Sequence, residues 1–311
     1  MTGILKAFLF GKFQFISAES DLALSHKALE LFSFLLLYRD RCFFRETIAN
    51  KLWGCDSGRG SRKEIRQSLW QLRMALNSHN MTGDSMLIID EDWIQLNSQV
   101  SLWLDIACFE QEFDSVRGVQ GGDLNKKKAT RLQNAVRLYR GDLLEGWYQD
   151  WCIFERERFQ SMYLSMLDKL LSYCEKNYEY EIGLTYADQI LSYDQARERT
   201  HRGKIRLLYL AGKRSEALRQ YHRCADLLKK ELNVKPSRRT MTLYEQIRQD
   251  HFYAPSHISM VNTNEIFSDN ANDPLPELLG NLKQCQATLG DVQNQLQINI
   301  QRVEDSLTNQ R

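Results

Sequence analysis

SRKEIRQSLWQLRMALN, residues 61–77, is the stretch on which the reading of the whole chain turns. Ile65, Leu69, Leu72 and Leu76 recur at helical spacing and form one apolar stripe. Ser61, three residues ahead of Glu64, has the form of a capping box and predicts a helix starting there. Arg59, Arg62, Lys63, Arg66, Gln67 and Arg73 lie before the helix or off the stripe, and only Glu64 opposes them in charge. A helix with one face pinned in a core and the other basic is suited to a phosphate backbone. A basic helix face is more often simply solvated, so the flanks decide between the two readings.

Upstream, Leu5–Phe10 and Phe13–Ile16 are aromatic-rich runs separated by Gly11-Lys12, a hairpin signal, and Leu22–Leu24 reads as a third short strand. Ser25 is placed to cap a helix carrying Leu29, Phe32, Leu35 and Leu36 to about Tyr38. Arg45–Trp53 predicts a second helix, and the glycine-rich segment 54–60 a loop before the third. Downstream, Met86–Ile89 and Trp93–Leu96 flank the acidic turn Asp90-Glu91-Asp92, and Leu102–Leu104 adds a strand. Strands, three helices and a hairpin in that order describe a winged helix-turn-helix, whose third helix enters the major groove. Lys63, Gln67 and Trp70 then face the groove. Gln67 has the amide to pair with an adenine edge, and Lys63 reaches towards guanine. Arg62, Arg66 and Arg73 sit to the sides, where phosphates run. Trp70 fits either packing against the wing or a base or partner contact, and Arg73 either a phosphate or an acid within the domain. Lys27, at the start of the first helix, is a further phosphate candidate.

The totals exclude more than they assign. The 311 residues are 43% hydrophobic and 26% charged with a net charge of +1, so any nucleic-acid footprint is local. No apolar run is long enough to span a bilayer, which predicts a cytoplasmic protein with no membrane partner. The seven cysteines form no CxxC pair and the six histidines no HExxH, so neither a metal site nor a cofactor is expected. Phosphate-loop, dinucleotide-binding and nucleophile-elbow motifs are absent, and the chain reads as a non-enzyme.

RETIANKLWG, SRKEIRQSLWQLRMAL and LWLDIACFEQEF together resemble the DNA-binding domain of the antibiotic regulatory protein (SARP) family, which is OmpR/PhoB-like. The positions carrying the resemblance are Arg45, Glu46, Leu52 and Trp53, then Arg62, Ile65, Arg66, Leu69, Leu72, Arg73 and Leu76, then Leu104, Asp105, Phe109 and Glu110. Phe44 stands where the family usually has a Ser or Thr cap. Further on, LYRGDLLEG, residues 138–146, with Trp151 and the run Glu155–Arg158, resembles the entry of the bacterial transcriptional activator domain. The resemblance implies a sequence-specific activator that binds double-stranded promoter DNA as a homo-oligomer and contacts RNA polymerase, with the segment 54–60 as a candidate polymerase contact. The other reading is a protein-interaction adaptor whose winged helix does not bind DNA.

An internal repeat follows. Glu181, Ile182, Tyr186 and Ile190 match Glu216, Ala217, Tyr221 and Ala225 at an offset of 35 (221 − 186), and Asn177 matches Gly212 as the left-handed residue ending a helix. The period is that of tetratricopeptide (TPR)-like units, which must stack to bury their apolar faces. Tyr178, Tyr180, Tyr186 and Tyr193 read as core and rim. After residue 252, Pro255, Pro274 and Pro276 mark a linker. Leu275, Leu282, Leu289, Leu296 and Val303 then fall seven apart, the pattern of a coiled-coil helix or of an amphipathic helix folded back. The expected fold is mainly α with a small β component. It comprises a winged helix over 1–107, a TPR-like activator domain over 108–252, a linker over 253–275 and an amphipathic or coiled-coil helix over 276–311.

Overall fold

The computed structural model describes residues 5–16, 24–54, 58–77, 86–100 and 102–250, with residues 58–62 and 77 described in backbone alone. These residues belong to one compact unit, Met1–Ala254. The linker and heptad readings, like Leu22 and Ala23 of the proposed third strand, fall outside the described residues. Leu24 is in no strand.

Two small sheets frame the N-terminal part. Strands β1 (Leu5–Phe8) and β2 (Gln14–Ile16) are antiparallel, with Lys6 opposite Ile16, and Gly11 at φ +80° makes the turn between them. The other edge of β1 takes a parallel strand from far along the chain. Wing strands β4 (Leu87–Ile89) and β5 (Trp93–Leu96) form a hairpin that also takes up β3 (Phe43–Phe44), and β6 (Leu102–Leu104) is the parallel partner of β1, with Leu5 opposite Leu102. Helix α1 (His26–Leu37) starts at Ser25, whose hydroxyl accepts from the Ala28 amide. Helix α2 (Arg45–Trp53) has no side-chain cap, because Phe44 offers no acceptor. Its first amide, from Arg45, donates instead to the Asp92 carbonyl at 2.8 Å, tying the helix to the wing.

Helix α3 spans Gly58–Asn77, one turn more than the capping-box reading allowed. Ser61 therefore lies inside the helix and cannot be its cap, and Glu64 pairs with Lys27 of α1 at 2.5 Å. Glycines at 58 and 60 cost the helix about 1 kcal/mol each relative to alanine. Burial of Ile65, Leu69, Leu72 and Leu76, exposed by no more than 5%, outweighs them at about 2 kcal/mol per side chain. That stripe packs against α1 and α2.

The rest is helical: α4 (Asp105–Ser115), α5 (Lys126–Leu138), α6 (Asp150–Lys176), α7 (Tyr180–Tyr193), α8 (Glu198–Leu210), α9 (Arg214–Leu232) and α10 (Arg238–Arg248). From α6 onward each helix packs on the next. The repeat is real, but its offset is 34, from helix start to helix start (214 − 180). Buried Gly183 and Ile190 correspond to buried Ala217 and Cys224 at that offset, whereas Ile182, paired with Ala217 at 35, is 46% exposed. The left-handed residue is likewise Tyr178 (φ 62°), matching Gly212 (φ 76°). Asn177 stays at φ −99° and donates its side-chain amide to the Tyr173 carbonyl. At Gly183 α7 lies close to both neighbours: a Cβ there would stand 2.8 Å from the Leu207 side chain and 3.1 Å from the Cys174 Cβ.

Buried between the two repeats, His201 has Nε2 2.8 Å from the Gln195 carbonyl and Nδ1 2.7 Å from the Gln220 amide nitrogen. The neutral ring satisfies both, and burial pushes its pKa below the usual histidine value. A histidine with a depressed folded pKa contributes full stability above the unfolded value near 6.5 and loses it as pH falls below. The melting temperature should drop between pH 7.5 and pH 5.5, and His201→Gln should flatten that drop. An equal drop in the variant would assign the effect elsewhere.

Candidate nucleic-acid interface

The buried stripe of α3 sets what the helix presents outward. Lys63, Arg66, Gln67, Trp70, Arg73 and Met74 are all exposed, spaced three and four residues apart on one face. Trp70 is 62% exposed and Met74 53%, so Trp70 does not pack into the wing. Arg59 and Arg62 lie in the first turns of α3, where only the backbone is described. Glu64, the one acid of the original stretch, is occupied by Lys27, whose ammonium also lies 5.6 Å from the Trp53 ring. A phosphate role for Lys27 requires exchange of that partner. Met74 escaped the sequence reading, although its place four residues after Trp70 puts it on the same face.

Beside this face, Arg66 shares the wall of an open groove of about 580 Å³ with Phe44, Arg45, Thr47, Glu91 and Asp92. The wing turn is held there by the Arg45 guanidinium, which donates to the Asp90 carbonyl at 2.6 Å. Three carboxylates at that tip repel phosphate, so the positive surface is α3 itself. Among the described residues no cluster of His, Cys, Asp or Glu is placed to hold a metal ion. Nor is any helix there long and apolar enough to cross a membrane.

A buried junction fixes the winged helix on the repeats. Asp105, fully buried, accepts from the amides of Leu9 (2.9 Å), Phe10 (2.9 Å) and Ile106 (2.7 Å). Burial pushes its carboxyl up, and the amides of Phe10, Leu9 and Ile106 pull the other way. The segment after α5 completes the grip. Gly11 donates to Asp142, Leu144 to Leu9 and Glu145 to Gly11, all within 2.9 Å. A Cβ at Gly141 would lie 3.4 Å from the Gly11 Cα, in ordinary van der Waals contact. Arg156 of α6 then donates to the carbonyls of Leu143, Leu144 and Trp147 at 2.9–3.1 Å, locking the turn. Glu110 pairs with both Arg39 and Arg158, and Trp147 stacks on His26. Trp53, the last residue of α2, donates its indole N–H to Glu30, whose carboxyl burial pushes up. The motif residues at 138–146 and 155–158 thus serve docking, and sequence alone gave them no such role.

Residues 104–248 match the family model described as the bacterial transcriptional activator domain. Among solved structures, the chain is similar to Mycobacterium tuberculosis EmbR, described in complex with a low-affinity phosphopeptide. The identity is 19% and the TM-score 0.62, over 81% of this chain and 67% of that one, a likeness of fold. No curated protein matches the chain. Residues 104–248 thus carry a bacterial transcriptional activator domain, preceded by a winged helix, and the likeness to EmbR extends over the fold of both.

Proposed function

We propose that the chain is a cytoplasmic, sequence-specific activator that binds double-stranded promoter DNA through α3. It acts as a homo-oligomer, contacts RNA polymerase and needs no cofactor. The observation carrying this reading is the division of α3: its apolar stripe is buried, and Lys63, Arg66, Gln67, Trp70 and Arg73 face outward together. Gln67 and Lys63 read base edges. Arg59, Arg62, Arg66, Arg73 and Lys27 meet phosphates, and Trp70 contacts a base or sugar. The winged helix (1–107) and the activator domain (108–252) act as one body on DNA, because the junction leaves them no free linker.

Gln67→Ala is expected to relax base preference, costing about 1–3 kcal/mol on the cognate site and little on a scrambled one. Arg66→Ala should weaken both alike and reduce the salt slope by about 0.9. Titrating both sites at several salt concentrations separates the two; identical effects from both variants would sink the division. Selection of bound genomic fragments, with an Arg62/Arg66/Gln67 triple-alanine control, tests the reading as a whole. The acidic wing tip and the exposed Trp70 and Met74 favour the adaptor as second reading, and no enrichment over the control would favour it.

A further inference from the structure

Far along the repeats from α3 in sequence, α8 and α10 enclose an open groove of about 740 Å³ with four arginines on its walls: Arg202, Arg206, Arg238 and Arg239. Arg202 and Arg206 share one face of α8, and Arg238 and Arg239 open α10. No carboxylate lines the groove, and the nearby acids are already engaged. Glu175 takes Arg206 through two parallel bonds of 2.7 and 2.8 Å. Glu198 accepts from the amide and hydroxyl of Ser237, at 2.7 and 2.6 Å. Arg202 reaches a neutral hydroxyl, that of Thr240 at 3.2 Å. Burial, then the like charges of Arg206, Arg239 and Arg199, push the Arg202 pKa down, against the pull of Glu198. A guanidinium stays protonated regardless, so the shift reflects burial and crowded positive charge that Glu198 offsets only in part. Arg238 and Arg239 make no hydrogen bond or ion pair among the described residues.

We propose that this groove binds an acidic peptide segment of a partner protein through forked guanidinium–carboxylate pairs. The Arg206–Glu175 pair shows that a side-chain carboxylate already fits this wall in that geometry. A nucleic acid fits less well: no aromatic side chain lines the groove to stack a base. Concave faces of stacked helical repeats are the usual place for an extended partner segment. The proposal stands apart from the DNA-binding reading of α3.

The test uses the full chain and fluorescence anisotropy at physiological salt. The probe is a short labelled peptide of alternating glutamate and alanine, with a glutamine–alanine peptide as control. The glutamate peptide alone should bind, and Arg238→Ala/Arg239→Ala should weaken it about tenfold or more. Arg66→Ala should leave it unchanged, which keeps failure here distinct from failure of the DNA reading. The paired lysine substitutions retain the charge but lose the fork and should restore less than half of the lost affinity. No binding of the glutamate peptide, equal binding by the alanine pair or full rescue by lysine would overturn the proposal. So would a loss of duplex DNA affinity in the alanine pair matching that of Arg66→Ala, which would make the groove a phosphate contact. Both side chains are exposed and unpaired, so the variants should melt like the parent, and melting curves verify it.

Discussion

Arg156→Ala is expected to destabilise the chain by about 3 kcal/mol, among the largest effects of any single polar substitution in it. Three main-chain carbonyls, those of Leu143, Leu144 and Trp147, lose a charged donor at once. Hydrogen bonds to charged groups contribute about 1.5–3 kcal/mol each. The full sum does not appear, because Leu144 keeps a second partner in the Trp147 amide. Arg156→Lys should recover less than half, since an ammonium cannot reach three carbonyls from one planar fork. Urea denaturation followed by tryptophan fluorescence measures the loss, and a change below about 1 kcal/mol would mean that the turn is held by its own backbone. The substitution is remote from α3 in sequence, so DNA affinity measured well below the melting temperature should fall far less than stability does.

Asp105→Asn should cost about 2–4 kcal/mol despite preserving shape. Every neighbour of the carboxylate is a donor: the amides of Leu9, Phe10 and Ile106. An asparagine turns its own NH₂ towards at least one of them, leaving buried N–H groups without acceptors at about 1–3 kcal/mol each. Because the site is buried, the loss should be nearly independent of salt. Glu110→Gln, which breaks the more accessible pairs with Arg39 and Arg158, should cost no more than about 1 kcal/mol and vary with salt. Parallel denaturation of both variants at low and high salt would show the contrast; a salt-sensitive loss at Asp105 would contradict its buried role.

Where the sequence was legible, one local rule sufficed. The α3 stripe was readable because helical periodicity translates directly into burial, and the four residues it named are all in the core. The outward face followed as its complement. The start of α3 was not readable, because Gly58 and Gly60 argue for a loop and only tertiary packing overrules them. The repeat offset was misplaced by one residue because Glu181/Glu216 and Tyr186/Tyr221 match in identity at 35, whereas burial follows 34, Ile182 being exposed and Ala217 buried. Asn177 was the better candidate for a left-handed residue by intrinsic preference, yet its side chain found the Tyr173 carbonyl and Tyr178 took the turn. The junction was illegible for another reason. Its contacts join residues about a hundred positions apart or more, such as Leu9 with Asp105 and Gly11 with Asp142, and no periodicity in either segment encodes the other. The same distance hid the parallel pairing of β1 with β6.

The bridge between Phe10 and Leu143 bears on how such proteins can be recombined. A genetic crossover after residue 107 would join a winged helix from one parent to a turn that evolved to hold the strand of another. The mismatch would fall on main-chain bonds around Gly11 and on the Arg156 fork behind them. A transferable cassette therefore runs past the third helix and the wing, through the turn and into α6. On the proposed DNA-binding reading, changes of target site are more readily reached by point substitution on the exposed face of α3 than by exchange of whole modules. The outward face of α3 can be altered residue by residue, whereas the seam behind it transfers only as a block.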